Sequence, residues 1–501
     1  MPDKDSLIWK LDQDLSAPFA VGRGGALYLS GSCYHARRRI KRLSVVAGGH
    51  AHAVVNHSLG SPELFSGQPA HGDAGGRSLT GGFWTTLAFD EINEPSRVEL
   101  SLRAVLDDGE SCQSPIGTLS LVPAAERQAI DYSPNVPPSE VEPLVAVCMA
   151  THNPPPDLFA SQVESLINQT HRNWVCIIND DCSTEDAWQR VREVAARDAR
   201  FRVRRNAFRL GFYHNFGRCL ELVPKEADFV ALADQDDYWY PHKLEKCLAA
   251  FGPGTQMVFS DMEVAGRGGE IISETFWATR RNNYTDLGAL VHANTVTGAS
   301  IVFRANLLDE LLPLPELPGD SYHDHWIACV ALTKGEIGYV PEPLYAWRQH
   351  EGNACGFAAT QPRAIEKWME LKTFLYLLLL FLRRSTDFGT PLKCLREQYR
   401  SYFVNPVVLA RQLLLRVREA PADKKAVLER FLKYERSLPR LAAHACRSKT
   451  ASLGRELTCF RVALSMRLLS VYCRLARGLF CRRRSDVQAA TPAPNASRGN
   501  S

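Results

Sequence analysis

The pattern of apolar and polar positions changes twice along the chain and divides it into three main regions. In residues 1–122, apolar and polar positions alternate over short runs, and glycine, proline, asparagine and aspartate separate the runs. A period of two is typical of strands that bury one face, and regularly spaced short strands predict a β-sandwich. The predicted strands are 26–30, 42–46, 53–55, 83–89, 97–106 and 118–122.

Two features refine the prediction for this first region. The residues Asp107-Asp108-Gly109 separate its last two predicted strands and are a strong hairpin signal. The aromatic residues Tyr28, Tyr34 and Trp84 are interpreted as core residues rather than as a sugar-binding platform. A module of this kind either binds a glycan or a protein, or only packs and tethers, and the pattern leaves both interpretations open.

The second region begins after a linker. Residues 123–143 are predicted to be that linker, because five prolines punctuate a polar stretch there. From 144 to 356, strand-like and helix-like segments alternate, which predicts an open, parallel α/β sheet. The predicted strands are 144–150, 174–179, 201–204, 228–233 and 256–261, and predicted helices lie at 185–198 and 213–223.

Polar residues follow three of these strands and are expected to meet at one edge of the sheet. Thr151 and Asn153 follow the first strand, and Asp180 and Asp181 end the second. The segment Asp234-Gln235-Asp236-Asp237 follows the fourth strand. Because right-handed crossovers place the carboxyl ends of parallel strands at the same edge, a ligand is expected to bind there.

The three carboxylates within Asp234–Asp237 point to a cation and a diphosphate. Carboxylates at this spacing repel one another, and a divalent cation with a preference for hard oxygen ligands relieves the repulsion. An acidic turn that caps the next helix is the alternative for this segment alone. A second acidic cluster on a neighbouring strand favours one polar ligand, such as a nucleoside diphosphate. No glycine-rich phosphate loop follows the first strand, so a metal ion is expected to bind the phosphates.

Four segments in this order resemble the N-terminal half of a family 2 glycosyltransferase. They are VAVCMATHN at 145–153, SLINQT at 165–170, IINDDCSTED at 177–186 and DQDDYW at 234–239. The resemblance implies a GT-A fold for 144–356, a nucleotide-sugar donor, and transfer with inversion that depends on Mn²⁺ or Mg²⁺. One departure from the family pattern is Cys182, which stands where glycine commonly follows the paired aspartates.

By position, the resemblance also implies roles for individual residues in the first half. Thr151 and Asn153, with Asp180 or Asp181, match the nucleoside pocket of the family. Asp234 matches both a donor contact and a metal ligand, and Asp236 matches a metal ligand.

The second half of this region carries the candidate base. Asp324 opens an apolar helix and matches the family's base aspartate, and 294–303 resembles the segment beneath the acceptor. An inverting transfer needs a carboxylate that removes the proton of the acceptor hydroxyl. The alternative is that an acidic residue in a first helical turn only interacts favourably with the helix dipole.

The end of this region resembles the YRQHxxNxxG ending of rhamnosyltransferase-like members, with Trp347 in place of the first tyrosine. The resemblance implies that Arg348 contacts the diphosphate and that His350 contacts the metal or the diphosphate. A loop histidine with only structural hydrogen bonds is the alternative for His350.

The third region, 357–484, is predicted to be helical, and 485–501 to be a disordered tail. Residues 459–484 contain seven arginines and no acidic residue, and their leucines form an amphipathic pattern. This segment is predicted either to lie on an anionic membrane surface or to pack on the protein with a solvated basic face. The longest apolar run, 374–382, is about half as long as a membrane span, so no transmembrane segment is predicted.

Composition limits the possible locations and partners. The net charge of +4 over 501 residues argues against nucleic acid as a partner of the whole chain. Fourteen cysteines occur without a CxxC pair, which favours reduced thiols and a cytoplasmic location. Together with the basic segment, this composition predicts a cytoplasmic protein or a peripheral protein on the inner face of the plasma membrane.

The expected function is therefore that of a glycosyltransferase with a glycan or lipid-linked glycan acceptor. The resemblance suggests bacterial surface polysaccharide or lipopolysaccharide synthesis, with rhamnose as a candidate sugar. A nucleotidyltransferase is an alternative, but it normally has a glycine-rich basic loop after the first strand, and 151–156 lacks one. A non-catalytic glycan-binding or scaffold protein is a further alternative, which the intact acidic clusters disfavour.

Overall fold

A computed structural model of the chain describes residues 7–54, 56–61, 73, 76–132, 142–278, 281–319, 322–353, 389–434, 437–446, 455–475 and 477. The predictions for the apolar run 374–382, for the helix expected from 357 and for the tail 485–501 lie wholly or largely outside these residues.

Residues 7–123 form two sheets. The first is antiparallel, with the spatial order β1 (Leu7–Leu11), β3 (Gly24–His35), β7 (Gly82–Asp90) and β6 (Asn56–Leu59). The second has the order β2 (Phe19–Val21), β9 (Ser111–Pro123), β8 (Ser96–Leu106), β4 (Ile40–Ala47) and β5 (His50–Ala53). Alternate side chains of both sheets share one buried apolar cluster, in which Leu29, Val45 and Leu102 are completely buried. The predicted hairpin at Asp107–Gly109 is confirmed as the turn between β8 and β9, where Gly109 has a φ of +92°.

The aromatic residues of this region are core residues, as predicted. Trp84 is 2% exposed and Tyr34 is 4% exposed, while Tyr28 is half-buried against Trp84. The indole nitrogen of Trp84 donates a hydrogen bond to the Tyr399 hydroxyl at 3.3 Å. The first sheet therefore packs against the helices near the C-terminus as well as against the second sheet.

A nine-stranded sheet and seven helices make up the described part of 142–353. The sheet consists of β10 (Val145–Thr151), β11 (Trp174–Asp180), β12 (Phe201–Arg205), β13 (Phe229–Ala233), β14 (Tyr238–Trp239), β15 (Thr255–Gly266), β16 (Ile271–Ser273), β17 (Ile301–Arg304) and β18 (Glu336–Gln349). The helices are α1 (Pro156–Ile167), α2 (Glu185–Ala195), α3 (Phe212–Glu221), α4 (Lys243–Ala249), α5 (Leu287–His292), α6 (Leu308–Leu311) and α7 (His323–Lys334).

The sheet is mixed, and in this respect the prediction of a parallel sheet was wrong. β10 pairs in parallel with β11 and β13, and β11 pairs in parallel with β12, so this half is as expected. However, β17 lies between β13 and β15 and runs antiparallel to both. The chain enters β17 directly from the turn Gly298–Ser300, at the edge where β13 ends, and does not first cross back over the sheet.

The described part of the predicted linker packs on this sheet region. Ile130 is 8% exposed, and its backbone N–H donates a hydrogen bond to the carbonyl of Leu222 at 3.0 Å. Arg127 donates a hydrogen bond to the carbonyl of Val223 at 3.2 Å. Residues 127–130 are therefore attached to the α/β region rather than fully solvated.

The helices near the C-terminus connect the other two regions. They are α8 (Gly389–Tyr399), a π-helical turn (Arg400–Val404), α9 (Asn405–Arg416), α10 (Ala422–Tyr434), α11 (Leu438–Ala445) and α12 (Arg455–Leu475). Arg416 is 1% exposed, and its guanidinium donates to carbonyls of the first sheet and of the α/β region. The acceptors are Gly24, Glu310 at 3.2 Å, Leu312 at 3.1 Å and Pro313 at 3.1 Å.

Helix α12 packs on the protein through one side and leaves part of its apolar surface exposed. Tyr472 is buried, whereas Leu468, Val471 and Leu475 are exposed. In the ranges given above, no helix has both the length and the hydropathy needed to cross a membrane. The described cysteines have free thiols.

Candidate functional site

The acidic turn after β13 is largely buried. Asp237 is completely buried and Asp236 is 8% exposed, while Asp234 is partly open to a cleft. Burial raises the pKa of all three carboxyls, and charge repulsion from neighbouring aspartates adds to this for Asp234 and Asp237. For Asp234, burial and the charges of Asp236 and Asp324 raise the pKa to about 7. A turn with this much uncompensated negative charge is suited to a bound cation.

A buried lysine beneath the turn supplies part of the missing positive charge. Lys243 is completely buried; its ammonium donates to the carbonyl of Ala299 and lies 4.1 Å from the ring centre of Trp239. Burial lowers its pKa to about 8, although the charges of nearby acidic groups oppose this shift. The sequence analysis did not identify Lys243; the available signal was a lysine on the apolar face that begins α4.

His350 and Asp236, both predicted metal ligands, are in direct contact. The imidazole Nε2 of His350 lies 2.8 Å from the Oδ2 of Asp236. Among the described residues, no group of three or more His, Cys, Asp or Glu side chains is arranged to hold a metal ion. The residue types nevertheless fit a hard divalent cation, because two carboxylates and an imidazole are suitable donors and the buried Oδ2 of Asp237 has no hydrogen-bond partner.

Asp324 faces the same cleft from the first turn of α7. It is half-buried, and its Oδ1 accepts a hydrogen bond from the backbone N–H of His325 at 2.6 Å. Burial raises its pKa to about 7, although hydrogen bonds from His325, the Gly298 backbone and the Asn294 side chain oppose the increase. A carboxyl that titrates near neutral pH is well matched to accept a proton from an alcohol.

The paired aspartates at the end of β11 mainly organise the loops around the cleft. Asp180 is completely buried and accepts hydrogen bonds from the backbone N–H of Ser183 at 2.9 Å and from the hydroxyl of Thr151 at 3.3 Å. Asp181 accepts hydrogen bonds from the backbone N–H groups of Leu210 at 2.7 Å and Gly211 at 2.8 Å. Asp181 therefore holds the loop that follows β12 against the cleft.

Two residues of these loops adopt left-handed backbone conformations. Asn153 has a φ of +44°, and its side-chain oxygen accepts a hydrogen bond from the backbone N–H of Thr184 at 2.9 Å. Cys182 has a φ of +57°. The glycine that is common at this position in the family adopts such a φ without strain, so the turn keeps its shape and the cysteine is strained.

The cleft has a volume of about 470 Å³ and brings together five of the predicted site residues. These are Thr151, Asp181, Asp234, Asp236 and Asp324. Of the others, His350 contacts Asp236 from outside the cleft lining, and Asp180 and Asn153 support the lining loops.

The arginine that lines the cleft is Arg209 rather than the predicted Arg348. The guanidinium of Arg348 lies 5.4 Å from the ring centre of Tyr238, and its backbone N–H donates to Asp237 at 3.4 Å. Sequence reasoning missed Arg209 because its position depends on the loop that Asp181 anchors. The available signal was a basic residue in the short segment 206–211 between β12 and α3.

One wall of the cleft is aromatic. His323 stacks on Phe216 with 3.9 Å between ring centres, and Phe212 and Tyr322 lie beside it, 5.8 Å apart. Burial lowers the pKa of His323 to about 3, so this imidazole is neutral at physiological pH. His323 therefore lines the cleft next to Asp324 and helps to shape it.

Comparison with known proteins finds a family match for the part of the chain that carries one side of this cleft. Residues 146–312 match the model described as glycosyl transferase family 2. The chain is 27% identical over 235 residues to the uncharacterized protein y4gI of Sinorhizobium fredii. The aligned region covers 45% of this chain and 24% of y4gI. The chain is also 31% identical over 101 residues to the Escherichia coli UDP-Glc:alpha-D-GlcNAc-diphosphoundecaprenol beta-1,3-glucosyltransferase WfaP. That aligned region covers 20% of this chain and 38% of WfaP.

Among solved structures, similarity extends to Staphylococcus aureus TarS 1–349 in complex with UDP-GlcNAc. It has 17% identity and a TM-score of 0.37, and it covers 65% of this chain and 91% of that one. The sequence matches to y4gI and WfaP span well under two thirds of those proteins. The family match covers the strands at whose ends Thr151, Asp180 and Asp234 lie, and residues 146–312 are therefore similar to a glycosyl transferase family 2 domain.

Proposed function

We propose that the chain transfers a sugar, with inversion, from a nucleoside-diphosphate sugar to a glycan or lipid-linked glycan. The observation that carries the proposal is the shared cleft of about 470 Å³, which Asp324 lines together with Asp234 and Asp236. The reaction requires a carboxyl that can accept a proton and a group that can hold a cation. Asp324, with a pKa of about 7, is suited to the first role, and the pair Asp234 and Asp236 across the cleft is proposed for the second.

Asp324 is the proposed base. In its ionised form it accepts the proton of the acceptor hydroxyl while that oxygen attacks the anomeric carbon. The hydrogen bonds from Asn294, Gly298 and His325 orient the carboxylate and stabilise its charge. The aromatic wall next to it, which includes Phe212 and Tyr322, is the proposed contact for the acceptor.

The opposite side of the cleft is the proposed donor site. Thr151, Asn153, Asp180 and Asp181 form the nucleoside pocket, either directly or through the loops that they hold. Asp234 contacts the donor, and Asp234, Asp236 and His350 are the proposed ligands of Mn²⁺ or Mg²⁺. Such an ion would neutralise the charge that develops on the leaving diphosphate.

Arg209 is the arginine that we assign to the diphosphate, because it lines the cleft. Arg348 is assigned a supporting role, since its backbone N–H contacts Asp237 and its guanidinium lies over Tyr238. We retain 1–122 as an accessory β-sandwich domain whose ligand, if it has one, is not assigned.

The proposed pathway is bacterial surface polysaccharide synthesis. The name of WfaP describes a lipid-linked sugar acceptor, which supports a similar acceptor class for this chain. Rhamnose is the proposed sugar on the basis of the sequence ending at 347–356 alone. Free thiols in the described cysteines support transfer on the cytoplasmic side, where nucleotide sugars are synthesised.

A donor screen tests the proposal. Thermal unfolding is measured with UDP-glucose, UDP-GlcNAc, GDP-mannose and dTDP-rhamnose, each with Mn²⁺ and with a chelator. At least one donor is expected to stabilise the protein, and chelation should remove the effect. Failure of every donor to raise the unfolding temperature would contradict the donor site.

Product analysis then separates the catalytic roles. With an acceptor, the Asp324→Asn variant is expected to bind the donor normally and to form no product, whereas Asp236→Asn is expected to lose the Mn²⁺-dependent stabilisation. Asp90→Asn, at an exposed carboxyl at the end of β7, is the matched control for both. The anomeric configuration of the product reports inversion, and release of pyrophosphate in place of the nucleoside diphosphate would indicate a nucleotidyltransferase.

A further inference from the structure

A second cavity, distant in sequence from the cleft, is lined by arginines. It has a volume of about 50 Å³ and lies between the end of β3, the start of β4, the turn Arg77–Thr80 and the end of α12. That volume suffices for a group the size of about three or four water molecules, such as a phosphate. Five of its thirteen lining residues are arginines, namely Arg38, Arg39, Arg77, Arg474 and Arg477. None of the lining residues that the structure describes is acidic.

Carboxylates of the described residues contact part of this arginine pocket but do not line it. Arg38 forms ion pairs with Asp108 and Glu110 on the β8–β9 hairpin. Asp73 is buried and accepts hydrogen bonds from the backbone N–H of Arg77 at 2.6 Å and of Ser78 at 2.8 Å. The described lining of the pocket is therefore rich in guanidinium groups and contains no carboxylate, which suits the pocket to an anion.

An exposed apolar stripe runs along α12 toward the same pocket. Leu457 is 38% exposed, Leu468 46%, Val471 41% and Leu475 74%, and the spacing places all four on one side of the helix. Residues of the opposite side, including Val462, are buried against the rest of the protein. The last described residue of the stripe, Leu475, directly follows Arg474, which lines the pocket.

We propose that this face binds an anionic membrane. The phosphate of an anionic phospholipid headgroup enters the arginine pocket, and the stripe from Leu457 to Leu475 lies in the boundary between headgroups and acyl chains. Charge complementarity selects this occupant, because an apolar protein partner would leave the arginines unused and a soluble phosphate would leave the leucines exposed. The proposal goes beyond sugar transfer and does not depend on it.

Vesicle sedimentation of the full chain tests the proposal. Binding is compared between vesicles of phosphatidylcholine alone and vesicles that also contain phosphatidylglycerol. We expect binding only to the anionic vesicles. The Arg77→Gln/Arg474→Gln variant is expected to reduce the affinity about 5-fold for each arginine removed. The Leu468→Gln/Leu475→Gln variant is expected to abolish binding without changing donor-dependent thermal stabilisation.

Matched controls exclude nonspecific effects of lost charge or lost apolar surface. Arg97→Gln removes an exposed arginine from β8, and Ile272→Gln removes an apolar side chain that is 54% exposed on β16. Both controls are expected to bind anionic vesicles as the unmodified chain does. Thermal unfolding of each variant establishes that it is folded, so that lost binding is not lost structure.

Three results would overturn the proposal. Equal binding to neutral and anionic vesicles would show that the arginine pocket has no role. Binding of inorganic phosphate that requires Arg474, with no binding to vesicles, would identify a site for a soluble anion only. A dimer in solution that Leu475→Gln converts to a monomer, with vesicle binding absent or unchanged, would assign the stripe to a second copy of this chain.

Discussion

Replacing Asp324 with asparagine is expected to stabilise the folded chain at pH 8 and to abolish sugar transfer. In the folded state, burial raises the pKa of this carboxyl from 3.8 to about 7. As the pH rises from about 4 to about 7, the carboxyl of Asp324 loses its proton in the unfolded chain but retains it in the folded chain, so the free energy of unfolding falls. Asparagine does not ionise, so the variant lacks this loss.

The magnitude follows from the two pKa values. For a fully buried carboxyl, the difference between pKa values of 3.8 and about 7 lowers the unfolding free energy at pH 8 by about 4 kcal/mol. Asp324 is half-buried and open to the cleft, so solvent screening reduces the expected loss to about 2 kcal/mol. Most of that loss develops between pH 5 and pH 7, above the pKa of the unfolded state.

Chemical denaturation at pH 5 and pH 8 measures the effect. Hydrogen bonds lost on substitution are the same at both pH values, so the change between them isolates the titration of Asp324. Asp90→Asn is the control and is expected to show no such change. If Asp324→Asn lowers the unfolding free energy equally at pH 5 and pH 8, burial does not raise the pKa of this carboxyl and the reasoning fails.

Four further outcomes are expected. The transfer rate should rise with pH through about 7, because Asp324 accepts a proton only when ionised; a flat profile between pH 5 and pH 8 would exclude it as the base. Asp236→Asn should lower kcat/KM about 100-fold or more and raise the Mn²⁺ concentration needed for activity, and an unchanged Mn²⁺ titration would contradict its role. Lys243→Met should lower the unfolding free energy measured in urea by about 3 kcal/mol, because the buried carboxylate of Asp237 loses the favourable interaction with the lysine charge; unchanged stability would show that Asp237 is protonated in the native state. Arg416→Met should leave four carbonyls with one donor fewer and increase cleavage by protease between the β-rich region and the rest of the chain, whereas Gln128→Ala in the segment before β10 should not.

The polar residues at the sheet edge could be predicted because their placement follows from general rules. The apolar run before Thr151 requires a buried strand, and the handedness of the crossovers places the ends of β10, β11 and β13 together. Asp324 could be predicted because it opens a helix whose apolar residues face the core. In these cases, local periodicity and chain topology suffice to place the side chain.

Other features depend on contacts between residues distant in sequence. The antiparallel direction of β17 follows from where the chain re-enters the sheet, which no local pattern records. Arg209 rather than Arg348 lines the cleft because the carboxylate of Asp181 holds the loop that carries Arg209. A repeated pattern predicts which residues share a face, but it does not predict which side of that loop faces the ligand.

The sequence by itself predicted that the ends of β10, β11 and β13 meet at one edge of the sheet, and it identified the acidic turn at Asp234–Asp237 and the base candidate Asp324. Only the tertiary structure revealed the buried Lys243 beneath the turn, and only it showed which side of α12 packs on the protein and which leucines it leaves exposed. The physical reason is that hydrophobic periodicity is encoded over a few residues. The residues that bury each face of a helix or strand come from parts of the chain up to hundreds of residues apart. The same holds for the charged groups that are buried beside that face.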